Sequence, residues 1–160
     1  MAKLKLSDWA NISEIGASLV IVVSLIYVGL EISQNTVAIQ QTSYQSVQEA
    51  MQSTELALAT NPELLKIVMK AETAPLEVSA LEWRRFTHVA FSRIGSWEYL
   101  FLARQDSAIS EAQWEAFDPF FSTLMCRPGY RVFWQKNHLS FTSYFGNHVD
   151  AKLASNCVTE

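Results

Sequence analysis

Residues 15–30 read IGASLVIVVSLIYVGL, an uncharged run of sixteen residues between Glu14 and Glu31. As a helix, at about 1.5 Å per residue, this run covers about 24 Å, and a bilayer core is about 30 Å thick. Apolar residues on both flanks extend the lipid-compatible surface. We therefore predict a single transmembrane span over about residues 12–32.

Two alternatives exist for this run. A buried core helix is possible, but seven β-branched residues together with Leu and Gly, apolar all round the helix, suit lipid better. A secretory signal peptide would follow Lys3 and Lys5, but Asp8 and Glu14 also lie in the leading segment. No small-x-small cleavage site ends the run, so the membrane span is the preferred interpretation.

The basic residues near the run predict its orientation. Lys3 and Lys5 precede the run, whereas the first basic residue after it is Lys66. Cytoplasmic flanks of membrane helices are enriched in Lys and Arg. We therefore expect the N-terminus in the cytoplasm and the bulk of the chain on the other side of the membrane.

The membrane helix has no stop signal at the lipid boundary. No Gly or Pro occurs between Gly29 and Pro62, so one helix is predicted from about Ser7 to about Thr60. An aqueous helix needs a partner, because helix propensity alone is marginal. A half-apolar heptad series predicts self-association with other copies. Its apolar members are Leu30, Val37, Tyr44, Met51 and Leu58.

A second heptad stripe lies one position further round the same helix. Its candidates for pore lining or helix contact are Ser13, Ala17, Val20, Ser24, Tyr27, Glu31, Gln34 and Gln41. Three interpretations remain open. The stripe lines a pore with a Glu31 ring at its mouth, or it forms helix contacts without a pore. In the third, its serines bond back to their own helix and the stripe faces lipid and water.

The chain is predicted to be all-α, with residues 1–60 as the span and its helical extension. Residues 61–160 are predicted to form an aromatic-rich domain of short helices, since all nine Phe and four of five Trp follow residue 80. An aromatic core is the simplest interpretation, with an apolar ligand pocket or a membrane-facing surface as alternatives. The predicted buried stripe of its longest helix is Trp83, Phe86, Ala90, Ile94, Trp97 and Phe101.

Catalytic motifs are missing from the sequence. The three histidines are far apart, and no phosphate loop, nucleophile elbow or zinc pattern occurs. We therefore predict no enzyme, no cofactor and no metal site. His88 follows Arg84 by one helical turn, which suits either contact with an anion or a solvated helix surface. Cys126 and Cys157 form a disulfide if the domain is extracytoplasmic, or else are two free thiols.

The charged residues of the second half are predicted to be ordinary polar faces and caps. The acidic members are Glu98, Asp106, Glu111, Glu115 and Asp118. The nearby cations are expected to close helix ends or to pair with these acids. These cations are Arg127, Arg131 and Lys136.

Short motifs spread over nearly the whole chain carry a family resemblance. They are W-x2-I-S-E-I-G from Trp9, Y-V-x-L-E-I-x-Q-N-T from Tyr27, N-P-E-L from Asn61, L-E-x-x-R-F from Leu81 and R-P-G-Y-R-x-F-W from Arg127. In these motifs the chain resembles a family of small uncharacterised bacterial inner-membrane proteins with one N-terminal transmembrane helix. The resemblance implies the same architecture and location, and it implies no activity.

The sequence as a whole predicts a single-pass membrane protein that self-associates. Our first interpretation of function is a homo-oligomer whose stripe lines an ion-conducting pore. The alternative is a non-enzymatic accessory or scaffold subunit that docks on another membrane protein. The lipid bilayer is the expected partner in both. Twelve Lys and Arg against sixteen Asp and Glu give a net charge of −4, which argues against nucleic acid as a partner.

Overall fold

The computed structural model describes residues 6–157, and the side chains of residues 13, 14 and 16–157. Lys3 and Lys5, on which the predicted orientation depends, lie outside the described residues. The described chain is helical with no strand, so the all-α prediction is confirmed. Its elements are α1 (Leu6–Thr60), α2 (Pro62–Thr73), α3 (Ala80–Gln105), α4 (Glu111–Met125), α5 (Pro128–Asn137), a 3-10 turn (His138–Ser140) and α6 (Ser143–Asn156).

The helix starts follow the capping signals in the sequence. The Asn61 side chain accepts a hydrogen bond from the backbone N–H of Leu64 at 3.0 Å, directly before Pro62 opens α2. Ser79 with Glu82 forms a capping box at α3. A second box at Ser110 starts α4, which then continues through Pro119. From the sequence, Asp118-Pro119 either opens a new helix or interrupts one that starts at Glu111; the structure places it inside the helix that starts at Glu111.

The chain divides into two compact units, Met1–Ile39 and Gln40–Glu160. The second unit is built on an aromatic core, as predicted. Trp97 of α3 is fully buried, stacks on Phe121 of α4 at 5.7 Å between ring centroids, and meets Phe145 of α6 edge-on at 5.2 Å. Of the predicted α3 stripe, the four central residues are buried, and the two end residues, Trp83 and Phe101, are half-buried.

The part of α1 after Ile39 belongs to the second unit. Val47 and Leu58 are each 3% exposed and lie in the same core as the later helices. The Thr54 hydroxyl shares a 2.7 Å hydrogen bond with that of Ser92. Along residues 44–58, the apolar heptad face of this aqueous helix is thus covered by later helices of its own chain.

Candidate functional site

The first unit presents a continuous apolar helix surface. Every side chain from residue 16 to residue 39 is exposed, and the large apolar ones between 19 and 32 are 47–67% exposed. A side chain of this kind gains about 1.5–3 kcal/mol when it leaves water for an apolar medium. Among the described helices α1 is the one long and apolar enough to cross a membrane, by length and composition.

The predicted stripe lies on this exposed surface. The hydroxyl of Ser24 donates to the carbonyl oxygen of Val20 at 2.8 Å, so it is satisfied within its own helix. Neighbouring hydroxyls at Ser18 and Thr36 do the same. The exposed members of the stripe are Ser13, Ala17, Val20, Ser24, Tyr27, Glu31, Gln34 and, in the second unit, Gln41.

A polar cluster that sequence reasoning missed lies inside the second unit. Asp118 of α4 has a side chain that is 8% exposed, and its Oδ1 accepts from Trp97 Nε1 at 3.2 Å and from His148 Nε2 at 2.8 Å. Its Oδ2 accepts from Lys152 Nζ at 2.5 Å. Burial raises the pKa of Asp118, but the hydrogen bonds and charges of Lys152 and His148 outweigh it, so the pKa lies below its ordinary value.

This cluster has the chemistry of a buried ion pair. Both oxygens of Asp118 are occupied by donors from the protein, and the His148 ring packs against Trp97 and Phe101 with centroids 5.4 and 5.0 Å away. The cluster therefore ties α6 to α3 and α4. The prediction that Asp118 is an ordinary cap or polar face is wrong. The i, i+4 spacing of His148 and Lys152 on one helix face was the available signal.

A second ionic network joins four helices. Glu72 of α2, with a side chain 7% exposed, accepts from Arg93 of α3 at 3.1 Å and also from Arg127. Arg93 donates further to Glu55 of α1 at 2.6 Å and to the Tyr130 hydroxyl of α5 at 2.9 Å. Burial raises the pKa of Tyr130 to about 12, although the Arg93 charge opposes the rise.

The partners in this network correct one prediction. Arg127 pairs with Glu72, not with the acids of residues 98–118. Two residues after Arg127, a Cβ on Gly129 would lie 2.2 Å from the Ala71 carbonyl oxygen, so only glycine allows α5 to approach α2 this closely. The R-P-G-Y segment thus serves helix packing.

The two cysteines are joined. A disulfide links Cys126, the C-cap of α4, to Cys157 at the end of α6. The free-thiol alternative is therefore wrong. The disulfide therefore joins the ends of α4 and α6. The Asp118 cluster connects the same two helices through hydrogen bonds.

The surface carries open clefts but no metal site within residues 6–157. No group of three or more His, Cys, Asp or Glu side chains in this part of the chain is arranged to hold a metal ion. One groove of about 360 Å³ lies between α1 and α3 and is lined by Val47, Phe91, Gly95, Tyr99 and smaller Ser and Ala residues. A second cleft of about 450 Å³ lies beside the first turns of α3.

These features define an all-α protein with one helix able to cross a membrane and a folded, disulfide-linked helical domain. The chain matches no protein-family model, no curated protein and no solved structure. The resemblance drawn from its short motifs therefore stays an expectation.

Proposed function

We propose that the protein is a single-pass membrane protein that holds its helical domain at a membrane surface. One observation carries this proposal: the apolar run is exposed throughout residues 16–30, with no described element packed on it in its own unit. Exposing that apolar surface to water is strongly unfavourable in free energy, and insertion into a bilayer takes the surface out of water.

Membrane insertion is tested by alkaline extraction and flotation of membranes from expressing cells. Wild type is expected to float and to resist extraction. The double variant Val23→Lys, Ile26→Lys is expected to be extracted, because each central lysine costs about 2.5–3.5 kcal/mol on insertion. Val23→Leu with Ile26→Leu is the matched control and should behave as wild type. Extraction of the wild type would refute the proposal.

The disulfide supports the orientation predicted from the basic residues. Disulfides persist in oxidising compartments such as the bacterial periplasm and are rare in the cytosol. A domain closed by Cys126 and Cys157 is suited to the periplasmic side of a bacterial inner membrane, with the N-terminus in the cytoplasm. Both signals, one from each end of the chain, favour the same topology.

Within the membrane we propose self-association along the stripe of small residues. Ala17 and Ser24 are small enough to allow close approach of helix backbones, which favours helix–helix contact in lipid. In the pore version of this proposal, Glu31 carboxylates form a cation-attracting ring. The aqueous half of α1 offers less to self-association, because Val47 and Leu58 are covered by their own domain.

In the accessory-subunit version, the exposed surface of the protein contacts another membrane protein instead of further copies of this chain. The observation that favours it is the covered heptad face of residues 44–58, which leaves the helical domain complete as a single copy. A self-contained domain on one membrane anchor can present its surface to another protein without self-assembly.

The mass of the detergent-solubilised particle separates these two versions. Native mass spectrometry of wild type is expected to show a discrete homo-oligomer of at least four copies if a pore forms. A monomer or dimer leaves too few helices to enclose a lumen and favours the accessory subunit. For an oligomer, Glu31→Gln should change cation conductance in planar bilayers, with exposed Glu49→Gln as the control; equal currents for both variants exclude the pore.

A further inference from the structure

A basic cleft lies beside the first turns of α3. Its lining residues are Ala80, Trp83, Arg84, Thr87 and His88, and its volume is about 450 Å³. Arg84 and His88 are exposed, one helical turn apart, and both side chains carry N–H donors. No acidic side chain lines this cleft.

A second cation, from another helix, lies beside the cleft at the ring of Trp83. Lys136 of α5 holds its Nζ 5.1 Å from the centroid of the Trp83 ring. Neither Arg84 nor Lys136 forms an ion pair with a carboxylate of the described chain, although acids outnumber basic residues sixteen to twelve. The cleft therefore keeps positive charge that the protein has not neutralised.

The neighbouring cleft on the α2 side of α3 is different. There Arg85 donates to Glu63 at 3.0 Å, and Glu82 also lines the cleft. Lys66 and Lys70 also line that cleft, so three cations lie there beside two acids. The two adjacent clefts thus differ in their acids: two glutamates line the cleft on the α2 side, and no acidic side chain lines the basic cleft.

We propose that the basic cleft binds an acidic segment of a partner protein. Charge complementarity favours carboxylates at Arg84 and Lys136, and Trp and Arg are the side chains most enriched at interface centres. The small Ala80 and Thr87 leave room for the backbone of a bound segment. A lipid surface is a poorer fit, because a membrane-binding face inserts large apolar side chains and this recess offers none beside Trp83.

This inference rests on the accessory-subunit version of the proposed function, since it names the surface that would dock. Its test is separate from the test of membrane insertion. The flotation assay reports on residues 15–30, whereas the binding assay reports on a cleft in residues 80–136. Failure of one can therefore be told from failure of the other.

The experiment uses the full chain in phosphatidylcholine nanodiscs. The probe is a fluorescein-labelled decapeptide of alternating Glu and Ala, and its binding is followed by anisotropy. We expect saturable binding that weakens about fivefold for each of Arg84→Gln and Lys136→Gln. The matched control is Arg85→Gln, which removes the same charge from the adjacent residue and should leave binding within twofold.

Four results of the binding assay would overturn the proposal. They are an absence of binding to wild type, an equal loss with Arg85→Gln, equal binding of the Gln/Ala version of the peptide, and displacement of the peptide by glycerol phosphate at the same concentration. The first excludes an acidic occupant, and the next two show unspecific attraction. The last assigns the cleft to a phosphate group. A fall in native mass on Arg84→Gln would also overturn it, because the occupant would then be a second copy.

Discussion

The role of Asp118 is determined by the residues that contact it in the fold, not by its neighbours in the sequence. Next to Pro119 it has the sequence pattern of a helix start, yet it lies in the middle of α4 with its carboxylate buried among donors. A buried carboxylate is tolerated only when it is paired and hydrogen-bonded. Lys152, His148 and Trp97 provide those partners, and they come from two other helices.

Replacing Asp118 by Asn should destabilise the domain by about 1–3 kcal/mol, because the partly buried Lys152 and His148 lose their charged acceptor. Urea unfolding followed by tryptophan fluorescence measures the loss. The matched control is Asp150→Asn. Asp150 also accepts an indole N–H, from Trp134 at 2.8 Å, but it is exposed. Equal losses for the two variants would mean that the charge of Asp118 contributes nothing.

The lowered pKa of Asp118 predicts a loss of stability in acid. A group whose folded pKa lies below its unfolded value stabilises the fold above the unfolded pKa, about 3.9 for Asp. That contribution disappears as pH falls through the folded pKa of Asp118. Wild type should therefore lose more stability than Asp118→Asn between pH 5 and the acid limit of folding. Parallel thermal melts of both proteins measure this, and identical slopes would contradict it.

At the scale of elements, α1 is shared between the two units. Its residues 16–39 are exposed, whereas Val47 and Leu58 are buried in the domain core. The ion pair of Glu55 with Arg93 adds a polar contact between α1 and α3. A helix that propensity alone would hold only marginally in water is thus stabilised by packing on its own chain.

Two leucines on this part of α1 give a matched test. Leu58 is 3% exposed and Leu56 is 63% exposed. Leu58→Ala should cost about 2–5 kcal/mol of domain stability, since it leaves a cavity in the core. Leu56→Ala should change stability by less than about 0.5 kcal/mol. Chemical unfolding measures the stability of both variants. An unchanged stability of Leu58→Ala would show that this part of α1 is not part of the folded domain.

The helices themselves were predictable from local signals. Capping pairs such as Ser79 with Glu82 and the 3–4 spacing from Phe86 to Trp97 are encoded within a few residues. Which residues cover each helix face could not be predicted, because burial depends on residues far apart in the chain. The heptad series of α1 is the clearest instance: its pattern predicts an apolar seam but does not say whether another copy or its own chain covers the seam.

The polar clusters were harder to predict for the same reason. Glu72 and Arg127 are separated by 55 residues, and Asp118 and Lys152 by 34. No local spacing rule connects such pairs. The basic cleft was anticipated in part, since Arg84 and His88 are one turn apart, but the approach of Lys136 requires the fold of α5 onto α3.

At the scale of the whole molecule, the disulfide predicts both stability and topology. Its cysteines are 31 residues apart, and closing a loop of this length stabilises a fold by about 3–4 kcal/mol in the chain-entropy model. The variant Cys126→Ser, Cys157→Ser should melt at lower temperature than the wild type. Reduction should lower the melting temperature of the wild type alone, and an effect of reductant on the variant would contradict this account.

The same cysteines report on which side of the membrane the domain lies. In intact spheroplasts, after mild reduction, a membrane-impermeant thiol reagent should label Cys126 or Cys157 of the wild type. The double serine variant is the control for unspecific labelling. Labelling only after lysis would place the domain in the cytoplasm and reverse the predicted orientation.

The sharing of α1 also has a consequence for biosynthesis. Val47 and Leu58 are made early, but some of the chain that completes their core, such as Val149, follows about ninety residues later. At about 5–20 residues per second, the nascent chain carries this uncovered apolar face for roughly 5–20 seconds. A ribosome-bound or translocating chain therefore exposes an apolar face that a chaperone can bind, and Cys157, which follows all the described helices, can be oxidised only once they have been made.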